Sequence, residues 1–173
     1  PSAATLTGTV NGGAGGTNIL DLSAYTTAVN AALTSSTATG YTGTTAGATN
    51  PTGGFSNITQ IKDGTTVPGT LTGDNNANTW SITGGNSGTV NDGTATLTWS
   101  GFGSLTGGAG ADDYVFTNNA VLTGSINGLG GSDTLDVSDA SNTNPVSVTL
   151  TSAGANGYSG SFAAGAGLYQ PVT

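Results

Sequence analysis

The chain has 173 residues, nine acidic side chains that are all aspartate, one basic side chain (Lys62), no histidine and no cysteine, for a formal charge of −8. Disulfides and thiolate or imidazole metal sites are thereby excluded, and the charge repels nucleic acid phosphates and anionic membranes. With 31 glycines, abundant threonine and few long straight-chain helix formers, a helical domain is excluded and short strands joined by turns are predicted.

Two tryptophans, four phenylalanines, five tyrosines and regularly placed Leu, Ile and Val supply the apolar surface that a disordered chain lacks. No apolar stretch approaches the length of a membrane span. The chain opens on Pro1 without methionine or a signal peptide and reads as a processed or excised piece of something larger.

The first predicted strand is Leu-Thr-Gly-Thr-Val-Asn-Gly at 6–12, followed by a glycine turn at 13–21 that carries Asn18 and Leu20. Residues 24–33 fit either a short helix or a strand until they are compared with a later copy, in which Pro145 stands where Ala28 stands here. Proline inside a helix is costly, and Val146, Val148 and Leu150 alternate, so both segments are read as strands. Gly-Thr-Leu-Thr-Gly at 69–73 opens another strand and turn, with Asn78 and Trp80 in the positions of Asn18 and Leu20. It recurs at 103–107 as Gly-Ser-Leu-Thr-Gly, an offset of 34 that carries Asn78 onto Asp112, Trp80 onto Tyr114 and Ile82 onto Phe116.

Residues 107–116 then fit the nonapeptide G-G-x-G-x-D-x-U-x at every position, with Tyr114 as the large apolar residue. A looser copy at 128–136 lacks only the second glycine. The remaining segments repeat the beginning of the chain: 6–12 matches 122–128, 20–23 matches 135–138, 29–34 matches 146–151, and 40–43 matches 157–160. The whole is predicted to be a single domain over residues 1–173, holding about one and a half copies of a repeat near 116 residues long, in which 6–43 resembles 122–160.

Glycine, a hydroxyl residue and an apolar residue follow one another from Gly8, Gly69, Gly88, Gly103 and Gly124, the last four spaced by 19, 15 and 21 residues. The fold class expected from these intervals is all-β, a parallel β-solenoid (β-helix or β-roll) with irregular coils of about 15–21 residues. Leu71, Val90, Leu105 and Ile126 are expected to stack in one ladder, which pairs nearly every backbone amide with the coil above or below.

The nonapeptide at Gly107 resembles the calcium-binding repeats of the repeats-in-toxin proteins. The combination of GGAG, LDLSAYTTAVN and GFSNI resembles giant repetitive bacterial surface and adhesin proteins. The resemblance implies secretion to the bacterial exterior and a β-roll with calcium between turns. Glycine-turn carbonyls and the motif aspartate are the implied ligands, which falls on Gly107, Ala109, Asp112, Gly128, Gly130 and Asp133. The chain departs from that family in spacing, since Asp112 and Asp133 are 21 residues apart without interleaved copies, and in the neutral Asn18 and Asn78 of the two echoes. Calcium requires six to eight oxygens. The other reading of Asp112 and Asp133 is as turn formers whose carboxylates accept backbone amide hydrogens.

Catalysis is not expected. Asp112 with Asp113, and Asp133 with Asp136, are formal carboxylate pairs, but strand neighbours point to opposite faces and nothing basic beyond Lys62 accompanies them. Trp80, Trp99, Phe102, Tyr114 and Phe116 read as core rather than as a carbohydrate platform. Threonine arrays such as 94–98 resemble ice-binding solenoids, whose hydroxyl ranks need equal coils, and spacings of 19, 15 and 21 are unequal. The expectation is a noncatalytic structural protein of the bacterial cell surface, a solenoid segment of a fibre, filament or adhesin stalk. Its expected partner is itself, as a head-to-tail homopolymer or through covalently continuous repeats, because uncapped coils expose unpaired strand edges. The alternative expectation is a calcium-dependent adhesive module that binds cell-surface glycans.

Overall fold

Alternation of apolar and small polar residues over three to nine positions, broken by glycine or an Asx residue, yields strands and turns throughout the computed structural model. It describes residues 4–47, 51–64, 66–139, 141–155, 157–164 and 169–172. Among these residues there is no helix; seventeen strands form two mixed sheets.

The first strands are β1 (Leu6–Asn11), β2 (Ile19–Asp21), β3 (Val29–Thr37), β4 (Gly40–Gly47), β5 (Thr52–Ile58) and β6 (Gln60–Lys62). The middle of the chain forms β7 (Thr70–Thr72), β8 (Thr79–Gly84), β9 (Ser87–Asn91), β10 (Thr96–Ser100), β11 (Ser104–Thr106) and β12 (Asp113–Phe116). The last are β13 (Ile126–Asn127), β14 (Thr134–Asp136), β15 (Val146–Gly154), β16 (Gly157–Ala164) and β17 (Tyr169–Val172). The large sheet runs β1-β5-β4-β3-β7-β11-β13-β17-β16-β15 and the small sheet β14-β12-β8-β9-β10-β6-β2.

Where the chain crosses between the sheets, the strands on either side of one crossing pair in parallel with those of the next. In the large sheet Ala31, Leu71, Leu105 and Ile126 stand directly beside one another. In the small sheet Trp80, Tyr114 and Leu135 do the same, as do Leu20, Ile61 and Trp99. These columns meet between the sheets in one core, with Leu71, Leu105, Trp80 and Trp99 all at 0% exposure. Each buried aliphatic side chain there contributes roughly 1.5–3 kcal/mol. The five aromatics read from sequence as core residues are buried, and Trp80 stacks on Tyr114 with centroids 5.9 Å apart.

The sheets are not purely parallel, and Val90 does not join the ladder expected for it. β8, β9 and β10 form an antiparallel meander inside the small sheet, so Val90 stands between Trp80 and Leu97. The cause is local: Gly85 and Asn86 form a two-residue loop between Gly84 and Ser87, with Asn86 at φ 49°, and so tight a loop reverses the strand within its own sheet. Two further meanders, β3–β4–β5 and β15–β16–β17, lie in the large sheet. Of the segment 24–33 read as a strand, residues 29–33 lie in β3, whereas 24–28 form turns and bends ahead of it.

The meanders also absorb the unequal spacing of the repeated turns. The 34 residues from Asn78 to Asp112 include the β9–β10 excursion, whereas the 21 from Asp112 to Asp133 do not, yet both intervals end with β8, β12 and β14 in register.

Candidate functional site

Three passages from the large to the small sheet, at 73–78, 107–112 and 128–133, are glycine turns closed by an Asx residue. Because the flanking strands are in register, Asn78, Asp112 and Asp133 come together as successive rungs. Asp112 Oδ2 accepts the amide of Gly108 at 2.8 Å within its own turn. Its Oδ1 accepts both the backbone amide and the side-chain amide of Asn78, each at 3.0 Å. Asp133 Oδ1 in turn accepts the Asp112 amide at 3.0 Å. The Asn78 side chain donates to the carbonyls of Asp74 and Asn76 at 3.1 and 2.8 Å, and Asn18 donates likewise to Gly13 and Asn57 at 3.0 and 2.9 Å.

The glycines follow from this curl. A Cβ at Gly107 would collide with the Asp112 carboxylate, and one at Gly108 with the Asp74 carbonyl of the neighbouring coil.

The residues implied as calcium ligands, Gly107, Ala109, Asp112, Gly128, Gly130 and Asp133, thus lie in two adjacent turns, where both aspartates already act as hydrogen-bond acceptors. N–H donors occupy both oxygens of Asp112 and approach Oδ1 of Asp133. Calcium needs six to eight oxygens, and Asp112 Oδ1, which already accepts two N–H groups, would have to release one to join them. Among the described residues no group of three or more acidic side chains is placed to hold a metal. Asp136 and Asp139 instead accept the amides of Ser138 and Ser141 at 2.8 and 2.7 Å, two residues along the chain. Asp113 pairs with Thr134 on the strand, away from the turn.

Two polar clusters escaped the sequence reading. Asn76 donates to Asp74 at 2.8 Å and to Asp92 at 3.3 Å, and the Ser36 hydroxyl donates to Asp92 at 2.5 Å, which ties the β3–β4 hairpin to the β9–β10 turn. Asn119 accepts the amides of Thr143 and Asn144 at 3.0 and 3.1 Å, while Asn142 accepts that of Asn119 at 2.9 Å. Only the Asn118-Asn119 pair, both at positive φ, hints at the second in the sequence.

Burial pushes Asp63, Asp74 and Asp112 above the usual carboxylate range, against the amides that each accepts. Burial would raise Asp92 as well, but the Ser36 hydroxyl, the Ala95 and Thr94 amides and Asn76 together hold it at about 2. Hydrogen bonds from Ser23, Ser138 and Ser141 lower Asp21, Asp136 and Asp139. Raised groups contribute stability that is complete below the unfolded value and lost as pH rises through the folded one. Lowered groups lose theirs as pH falls from the unfolded value through the folded one. The melting temperature is therefore expected to peak in mild acid, just above the ordinary aspartate value of about 3.9, and to decline on both sides. Thermal melts across that range check it, and a monotonic rise to neutrality contradicts it.

Beyond the last rung an open cleft of about 570 Å³ lies between the sheets, lined by Tyr114, Ile126, Leu129, Asp133, Leu135 and Tyr158. No protein-family model, curated protein or solved structure matches the chain.

Proposed function

We propose that the chain is a noncatalytic structural segment of the bacterial exterior, a β-solenoid of irregular coils that builds a surface fibre, filament or adhesin stalk. The observation that carries this reading is the in-register stacking of coil strands: Leu71, Leu105 and Ile126 on one side, and Trp80, Tyr114 and Leu135 on the other. Such a stack grows by adding coils along one axis, and its rungs of Asn78, Asp112 and Asp133 lock each turn to the next. Trp80, Trp99, Phe102, Tyr114 and Phe116 sit inside, where they stiffen the rod. Secretion, and joining end to end with copies of itself or through continuous repeats, belong to the same reading.

Imaging of the purified chain at high concentration tests it. Rods or filaments are expected, and isolated globular particles at every concentration overturn it.

A second reading, a calcium-dependent adhesive or carbohydrate-binding module, draws on the cleft, where Tyr158 is 67% exposed beside polar residues. Saturable binding of a glycan quenched by Tyr158→Ala would favour it. Calcium added to chelator-treated protein is expected to leave the melting temperature unchanged, because the amides already satisfy Asp112. An ion that bound the native state would raise it by mass action.

A further inference from the structure

Three distant parts of the chain meet in a contact built from acids without a base. Asp74, in the turn at 73–78, and Asp92, in the turn between β9 and β10, each accept a hydrogen from the side-chain nitrogen of Asn76, at 2.8 and 3.3 Å. The two carboxylates therefore face one another across a single NH2 group. The end of β3 joins them through the Ser36 hydroxyl, which donates to Asp92 at 2.5 Å. Asp74 is 3% exposed, and the one basic side chain, Lys62, is engaged elsewhere, with Asp21 at 3.8 Å.

Two carboxylates in one desolvated site without a cation resist ionising together, and one of them takes up a proton. The donors decide which. Asp92 receives four: the amides of Thr94 and Ala95 on Oδ1, each at 2.9 Å, and Ser36 and Asn76 on Oδ2. Asp74 receives two, both from Asn76, with the Asn78 amide close by. Hydrogen bonds to a charged carboxylate favour the charge, so Asp92 stays ionised and the proton goes to Asp74. Burial, with the Asp92 charge added to it, accordingly raises Asp74, whereas the donors hold Asp92 at about 2 despite its burial. Among the described residues the other titratable group at the pair is Tyr41 of β4, whose hydroxyl donates to the Ala95 carbonyl at 3.2 Å. Burial and the two aspartates raise Tyr41 as well, so it stays neutral wherever Asp74 titrates. Asp112 lies one hydrogen bond further off, behind the Asn78 side chain.

We propose that Asp74 and Asp92 hold a single proton between them and act as an acid-tightened clasp, which fastens the β9–β10 turn and the end of β3 to the turn at 73–78. The device does not depend on whether the chain builds fibres. Its contribution is complete below the ordinary aspartate value of about 3.9 and is lost as pH rises through the raised value of Asp74. Past that point a second charge stands in the contact and the clasp opens. Gly93 and Thr94 are exposed whereas Asp74 and Asn78 are buried, so the β9–β10 turn is the part that lifts.

A distance measured on the full chain tests this. Having no cysteine, the chain accepts a nitroxide pair through Thr94→Cys and Ala77→Cys, two exposed positions on either side of the clasp whose side chains take no part in it. Electron–electron resonance is expected to find one short distance in mild acid and a growing population of longer distances toward neutral pH. Release of one proton limits that growth to about tenfold per pH unit. Asp74→Asn, which mimics the protonated acid, is expected to keep the short distance at every pH, and Asp92→Asn, which removes the other charge, to do the same. Asp112→Asn is expected to leave the pH response in place. Circular dichroism on each variant separates opening of the clasp from unfolding, and either asparagine variant suffices if the other fails to fold. A distance that does not change with pH overturns the clasp, as does a change that survives neutralising Asp74 or Asp92. A short distance at neutral pH that requires added calcium and is lost to a chelator assigns the closure to a metal and equally overturns the shared proton.

Discussion

Trp80→Ala is expected to lower the free energy of unfolding by about 3–5 kcal/mol, among the largest effects of any single substitution in this chain. The indole is fully buried at the centre of the small sheet, beside Val90 on one strand and Tyr114 on the other, and its ring lies within 10° of parallel to the tyrosine ring. Removing it leaves a cavity that the flanking strands cannot close, because β8 is held by ladder hydrogen bonds on both edges. Trp80→Phe keeps most of the contact and removes an indole N–H that has no acceptor, so its cost should stay below about 1.5 kcal/mol. Chemical denaturation followed by the emission of Trp99 measures both. A loss under about 1 kcal/mol for the alanine variant would show that the aromatic column is not what holds these strands together.

The second large effect is at Asp112. Its carboxylate accepts three N–H groups from two turns at 1% exposure. Asp112→Ala strands these donors, each at about 1–3 kcal/mol, while relieving the burial of a charge. The net loss should be about 3 kcal/mol, measured by denaturant unfolding without added metal. Asp112→Asn keeps one acceptor oxygen but turns an N–H toward another donor, so it should fall between wild type and alanine. The order distinguishes two roles. A turn former gives graded losses that calcium does not alter, whereas a metal ligand gives losses that appear only when calcium is present. Equal stability of all three chains would contradict the role of Asp112 in joining the two turns.

The turn chemistry was legible because it is local. Glycine at Gly107 and an Asx residue five positions later are required by one curl of the chain, in which the carboxylate returns to amides that would otherwise be orphaned. The same holds for Asn78, whose neutral amide looked like a lost ligand in the calcium reading but performs the turn's work by donating to carbonyls. The clusters around Asp92 and Asn119 were not legible, since each depends on a loop that docks from a distant part of the chain.

By itself the sequence determined an all-β chain, the positions that face the core, the turns between them and the match between the two ends. All of these follow from alternation with a period of two residues, from glycine and Asx chemistry, and from internal repetition. Tertiary structure alone decided strand direction and the placement of Val90 beside Trp80 rather than Leu71. Alternation looks identical in parallel and antiparallel strands, so direction depends on whether a turn crosses between sheets or folds back within one. The exposure of Val148 and Leu150, beside the burial of their counterparts Ala31 and Leu33, depends on whether a second layer lies opposite, which like residues in like repeats cannot encode.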